Sequence, residues 1–185
     1  MKKLILLIFI CLSPLMLHAQ NIIEVKIKGS FVLPESEKYL MLKFDFSETI
    51  FEKKYNETDW TILNGKEEWE SAKQEALENI VNWMNEKMTK TRIIMVLEKM
   101  VSSENPAFTS NYTLYISPIT YSRNGKNKSL FVLKNNNTGE ILGTASVSGA
   151  GAHFGSLGNL LGEGYEKTAP EVAKRIAKFN KTKMY

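Results

Sequence analysis

Between Lys66 and Met88 apolar side chains recur every three or four positions: Trp69, Ala72, Ala76, Leu77, Ile80, Trp83, Met84 and Met88. That period marks a helix with one wet and one dry face, and Glu67, Glu68 and Glu70 stand where the positive end of its dipole favours them. A helix dry on one side has to lie against a second layer. The remaining segments say what that layer is.

Ile23, Val25 and Ile27 alternate with Glu24, Lys26 and Lys28, and the segment from Leu40 to Phe46 alternates again, with Leu40, Leu42, Phe44 and Phe46 inward and Asp45 toward solvent. Period two means half-buried strands. The short apolar run Ile93 to Leu97 reads as a buried strand. Three more strands, Tyr112–Tyr121, Ser129–Leu133 and Glu140–Val147, form a meander joined by Asn124-Gly125 and by Asn136 to Gly139, both hairpin chemistry. Pro118 removes a ladder donor, which places its strand at an edge or at a bulge. Residues 47–65 read as a polar connection carrying Tyr55, Asp59 and Trp60 and closed by Asn64-Gly65.

Near the carboxyl end, Val172, Ala173, Ile176, Ala177 and Phe179 form the dry stripe of a second helix, with Lys174, Arg175, Lys178 and Lys181 outward. Thr168 to Glu171 fits a capping box that restarts the helix after a looser turn through Leu160, Leu161 and Tyr165. The expected fold is therefore α/β: a two-layer sandwich with a mixed five- or six-stranded sheet and two main helices on one face.

Seven of the eleven glycines lie between Gly143 and Gly164. The run from Gly149 through Gly151, His153, Phe154 and Gly155 to Gly158 fails both phosphate-loop patterns. Phe154 stands where a dinucleotide loop needs glycine, and no Gly-Lys-Ser/Thr closes the run. The plainer reading is that small residues let the chain leave the last strand and bring the next helix close to the sheet.

Met1-Lys2-Lys3 followed by the apolar run Leu4 to Leu12, a break at Pro14 and a small residue at Ala19 is a secretion leader. Cleavage is expected between Ala19 and Gln20, leaving one domain over 20–185 in the periplasm or outside the cell. The apolar run stops short of the roughly 20 residues a spanning helix needs. Cys11, the one cysteine, lies inside that run behind the bulky Phe9 and Ile10, unlike the cysteine of a lipoprotein signal.

Removing the leader leaves no cysteine and a single histidine, His153. Thiolate chemistry and clustered-ligand zinc sites drop out, and no metal or cofactor is expected. Without Lys2 and Lys3 the basic and acidic counts are 22 and 20, a near balance that points away from nucleic acid.

Several stretches carry a resemblance: Leu42 to Ser47, the Trp69 helix, Tyr112-Thr113-Leu114, Asn137 to Leu142, Phe154-Gly155 and Gly162 to Glu166. In these the chain resembles a family of secreted Bacteroidetes proteins. Their layout is similar to the small α/β domains of envelope factors such as the TolB amino-terminal domain and the curli secretion lipoprotein CsgG. The resemblance implies a mixed sheet with packed helices in an envelope setting and supplies no catalytic residues. Unlike the lipoproteins of that group, this chain has no lipid-accepting cysteine.

Three function classes follow. The first is a non-enzymatic envelope or secreted domain that docks on a protein or surface component through an edge strand or through Gly151, His153, Phe154 and Gly155. The second is a glycan-binding module stacking sugars on Tyr55 and Trp60, set against the reading that these aromatics pin the loop to the core. The third is a hydrolase using paired carboxylates, or His153 as base near Ser148 or Ser156. Dipole stabilisation of Glu67, Glu68 and Glu70, and a structural role for a lone histidine, stand against it.

Overall fold

The computed structural model describes residues 25–98, 110–151 and 154–181. The leader, its junction at Ala19 and Gln20, and His153 lie outside the described residues. The alternating segments become β1 (Lys26–Gly29) and β2 (Tyr39–Phe44), and the short apolar run becomes β4 (Ile94–Leu97). The meander is β5 (Tyr112–Tyr121), β6 (Asn127–Asn135) and β7 (Ile141–Gly149). In space the order is β1-β7-β6-β5-β2-β4. The strands from β1 to β5 pair antiparallel, whereas β2 runs parallel to both of its neighbours.

The connection over residues 47–65 is more ordered than its polarity suggested. Ile50 and Phe51 form β3, a seventh strand lying parallel on the end of β5. Glu57–Asn64 form α1, because the Asn56 side chain accepts from the Asp59 amide at 2.9 Å and Glu57 and Asp59 occupy the first turn. Gly65, with φ of 83°, turns the chain directly into α2 (Lys66–Lys87). The short segments escaped a period test that needs more residues than they contain.

The core lies between one sheet face and the helices. Leu40, Leu42, Leu114, Ile116, Phe131 and Leu133 point from the sheet at the buried faces of α2 and of α4 (Thr168–Phe179). The register is bulged between Pro118 and Thr120, which resolves the two readings of Pro118 in favour of a bulge in an interior strand. Asp45 is half-buried, with its Oδ1 accepting from the Ser47 amide and hydroxyl.

The capping box at Thr168 does not form. After α3 (Leu157–Glu163) the backbone continues through a turn over 164–167 that keeps helical hydrogen bonding, so Thr168 enters α4 already partnered by Tyr165. Glu171 pairs instead with Lys174.

The two edges of the sheet are finished differently. Asn85 of α2 places its amide against β4, accepting from the Met95 amide at 2.8 Å and donating to the Met95 carbonyl at 3.1 Å, as a neighbouring strand would. A side chain thus closes that edge. At the other edge β1 is short and carries Lys26 and Lys28, charges that disfavour further pairing.

Candidate functional site

Inward positions of β6 hold Phe131 and Leu133, but the same face continues into Ser129 and Asn127, both buried. Buried polar groups need partners, and these have them. The Asn127 Nδ2 donates to the carbonyls of Gly125 at 3.0 Å and Gly164 at 3.3 Å, and its Oδ1 accepts from the Ser129 hydroxyl at 2.8 Å. Ser129 has one proton and gives it to Asn127, so the Tyr165 hydroxyl 2.8 Å away donates to Ser129. Burial, the dominant cause, pushes the Tyr165 phenol well above its ordinary value, and it stays protonated.

Around Asn127 the turn between β5 and β6, the end of β7 and the end of α3 meet backbone to backbone. A methyl group on Gly149 would overlap the Gly164 carbonyl, and one on Gly164 would overlap the Gly125 carbonyl. The glycine-rich composition is therefore a demand for closeness: the chain leaves β7 and returns as a helix through a gap with no room for a side chain.

The loop between those fixed ends carries the expected site. A Cβ on Gly151 would press on Asn124, and Gly155 has φ of 141°. Ser156 caps α3 by accepting from the Asn159 amide at 3.0 Å and donates to the Glu75 carboxylate at 3.0 Å. Phe154, two residues before this anchor, is 88% exposed. Glu68, Glu75 and Glu78 share one exposed flank of α2, and Glu75 is the one that meets Ser156. Phe154 and Gly155 are thus exposed just ahead of α3, whereas the Ser156 hydroxyl is occupied by helix capping and by Glu75. Ser148 sits on the other sheet face, in register with Lys128.

Of the two readings of Tyr55 and Trp60, a sugar-stacking platform and a pin to the core, the structure shows the second. Trp60 is 3% exposed, stacked on Phe51 with ring centres 5.0 Å apart and edge-on to Trp69 and Tyr121. An indole set on one turn of α1 is worth more to the core than to the surface. Tyr55 is half-buried, its backbone bonded to Phe51 and its ring covered by the Lys54 ammonium at 4.4 Å. Both residues pin the connection to the core.

A crevice of about 230 Å³ opens at the carboxyl ends of β2 and β4, the place where open parallel sheets commonly bind ligands. Here its charges neutralise one another: Lys43 pairs with Glu98 at 2.6 Å, and Lys73 pairs with Glu70 at 2.8 Å and Glu57 at 3.2 Å. No group of three metal-ligating side chains occurs among the described residues. No described helix is long and apolar enough to cross a membrane.

The junction at Asn127 went unread in the sequence, although a signal existed. Asn127 and Ser129 continue the inward parity of Phe131 and Leu133, and polar residues on a dry face call for a network.

The sequence matches no protein-family model and no curated protein. Among solved structures the chain is similar to the PelC dodecamer from Paraburkholderia phytofirmans, with 13% identity and a TM-score of 0.39 over 84% of this chain and 95% of that one. A point variant of the same dodecamer gives 12% identity and a TM-score of 0.38 over 78% and 96% of the two chains. Overlap at that level bears on neither the function nor the assembly of this chain.

Proposed function

We propose that the chain is a non-enzymatic docking domain of the cell envelope, exported by the leader at 1–19 and holding a macromolecular partner through the Phe154 loop. One observation carries this reading: Phe154 is almost fully exposed two residues before the Ser156 cap of α3. An aromatic side chain displayed beside a capped helix start is a suitable anchor for a small contact. The likeness to secreted envelope proteins supports the same compartment.

The test is a photoreactive phenylalanine analogue placed at position 154 in the source cells, with the same analogue at Ile62, another exposed apolar position, as control. A crosslinked product seen from 154 and not from 62 supports docking through this loop. Folded, exported protein that gives no product from 154 removes the proposal.

A further inference from the structure

The two long helices end at the same pole of the molecule. Ala76 of α2 lies against Gly162 of α3, and Thr91, just beyond α2, bridges to Lys181, just beyond α4, so the two run side by side in one direction. At that pole the segment after β1 crosses the end of α4. Asn180 holds it there, its Nδ2 donating to the Phe31 carbonyl at 2.6 Å and its Oδ1 accepting from the Leu33 amide at 2.8 Å. Arg92 holds it as well, with Nη2 donating to the carbonyls of Leu33 at 2.9 Å and Pro34 at 2.8 Å. Phe31 and Leu33 are buried, and Val32 between them is left 52% exposed. Phe179, the neighbour of Asn180, stands with its ring 6.5 Å from that of Phe31 and is 43% exposed. Two apolar side chains are thus fixed together at the surface.

The charges around them are of one sign. Arg175 stands one turn before Phe179 on the same flank of α4, Lys178 and Lys181 lie to either side of it in the chain, and Lys90 and Arg92 flank the Thr91 that bridges to Lys181. None of these cations has a carboxylate within ion-pair distance among the described residues. The acidic groups of the same segments are accounted for. Glu171 pairs with Lys174, Glu37 is buried and accepts from Asn111, and Glu35 is offset by Lys38 in the same loop. Helix dipoles explain why cations gather where α2 and α4 end. They do not explain two exposed apolar side chains in their midst.

We infer that this pole is a membrane-binding face. Val32 and Phe179 enter the interfacial region of an anionic bilayer, while Lys90, Arg175, Lys178 and Lys181 meet the lipid phosphates. A surface that lies on lipid has this composition, with cations for the headgroups around apolar groups for the acyl boundary. A bilayer presents phosphate and hydrocarbon side by side over its whole area, whereas an acidic polypeptide would have to bring a matching pattern of its own. The inference goes beyond the docking reading and uses none of its residues, since Phe154 stands ahead of α3, far from the end of α4.

The experiment is flotation of the exported, purified protein, its amino terminus sequenced to confirm loss of the leader. The vesicles are phosphatidylcholine alone or phosphatidylcholine with about a third phosphatidylglycerol. Binding should require the anionic lipid and weaken as salt rises. Lys178→Ala and Lys181→Ala should each lower the partition coefficient about fivefold, the worth of one cation near such a surface. Val32→Ser should lower it as well, and Val32→Trp, an aromatic suited to the interface, should raise it. Lys128→Ala removes the same charge beside Asn127, away from this pole, and should leave binding within about twofold. Melting curves confirm that each variant is folded.

Binding to both kinds of vesicle alike, or to neither, overturns the inference. So does anionic binding that Lys128→Ala weakens as much as Lys178→Ala does, or that both Val32 substitutions leave unchanged. Retention on immobilised polyglutamate without flotation would make the face a site for acidic polypeptide and overturn the lipid reading. The outcome is separate from crosslinking at position 154, and either proposal can fail while the other stands.

Discussion

The two ends of the core close the same gap between sheet and helices by opposite means. At one end Phe46, Phe51, Trp60, Trp69 and Tyr121 fill it with rings at mutual distances of 5.0 to 6.5 Å. At the other, Gly125, Gly149 and Gly164 remove the gap by letting backbones touch around Asn127. Trimming bulk costs in proportion to the cavity it leaves, because neighbours relax toward it only in part. Contact between backbones tolerates no addition, because nothing soft lies between them. The difference extends to polar groups: the glycine end partners its buried amide and hydroxyls, whereas the Trp60 Nε1 and Tyr121 hydroxyl at the aromatic end have no hydrogen-bond partner.

The largest effect belongs to the aromatic end. Trp69→Ala should cost about 4 kcal/mol in urea unfolding, since it opens a ring-sized cavity and abandons a hydrogen bond to Glu57. Gly149→Ala should cost about 3 kcal/mol by the same measurement although it adds one carbon. If Gly149→Ala proved neutral, the close approach of β7 and α3 would not be a constraint.

Asn127→Ala should cost about 2 kcal/mol, because two glycine carbonyls and the Ser129 hydroxyl lose their partner together. Trp60→Phe should cost less than Trp69→Phe, by about 1 kcal/mol, since the Trp60 nitrogen has no bond to lose. Equal losses would mean that the two indoles are held alike.

Both ends bury a tyrosine, and both phenols are raised above the ordinary value of 10.0 by burial, with Glu52 adding to the shift at Tyr121. The folded chain then holds protons that the unfolded chain releases, so stability is full below about pH 10 and falls above it, by about 1.4 kcal/mol per pH unit for each group. Alkaline denaturation of Tyr165→Phe should show a shallower fall than the wild type. The smallest effect is that of Phe154→Ser, within about 0.5 kcal/mol of zero on stability, although it should remove binding. A large stability loss there would make Phe154 part of the core and end its role in docking.

Much of the scaffold was legible in the sequence because its signals are long. The 22 residues of α2 and the ten of β5 repeat their period often enough to be recognised, and Pro118 and Gly125 announce a bulge and a turn by chemistry that acts locally. The same reading missed β3 and α1, whose two and eight residues hold too little period to see. It left Trp60 between a sugar-stacking surface and a pin to the core, and packing against Phe51 decides for the core. The Thr168 motif was present, but the turn before it stayed helical and the Thr168 hydroxyl bonds back to the Tyr165 carbonyl instead of capping.

By itself the sequence determined what depends on neighbours along the chain: the amphipathic faces of α2 and α4, the alternation of the strands, and the glycine-rich segment that displays Phe154. Tertiary structure alone decided what depends on neighbours across it. It turned Trp60 inward, set Asn85 against the edge of β4, tied Ser156 to Glu75 and brought three glycines from separate elements to one point around Asn127. Periodicity and turn chemistry are one-dimensional signals, whereas these contacts join residues up to 81 positions apart and exist only once the layers have packed.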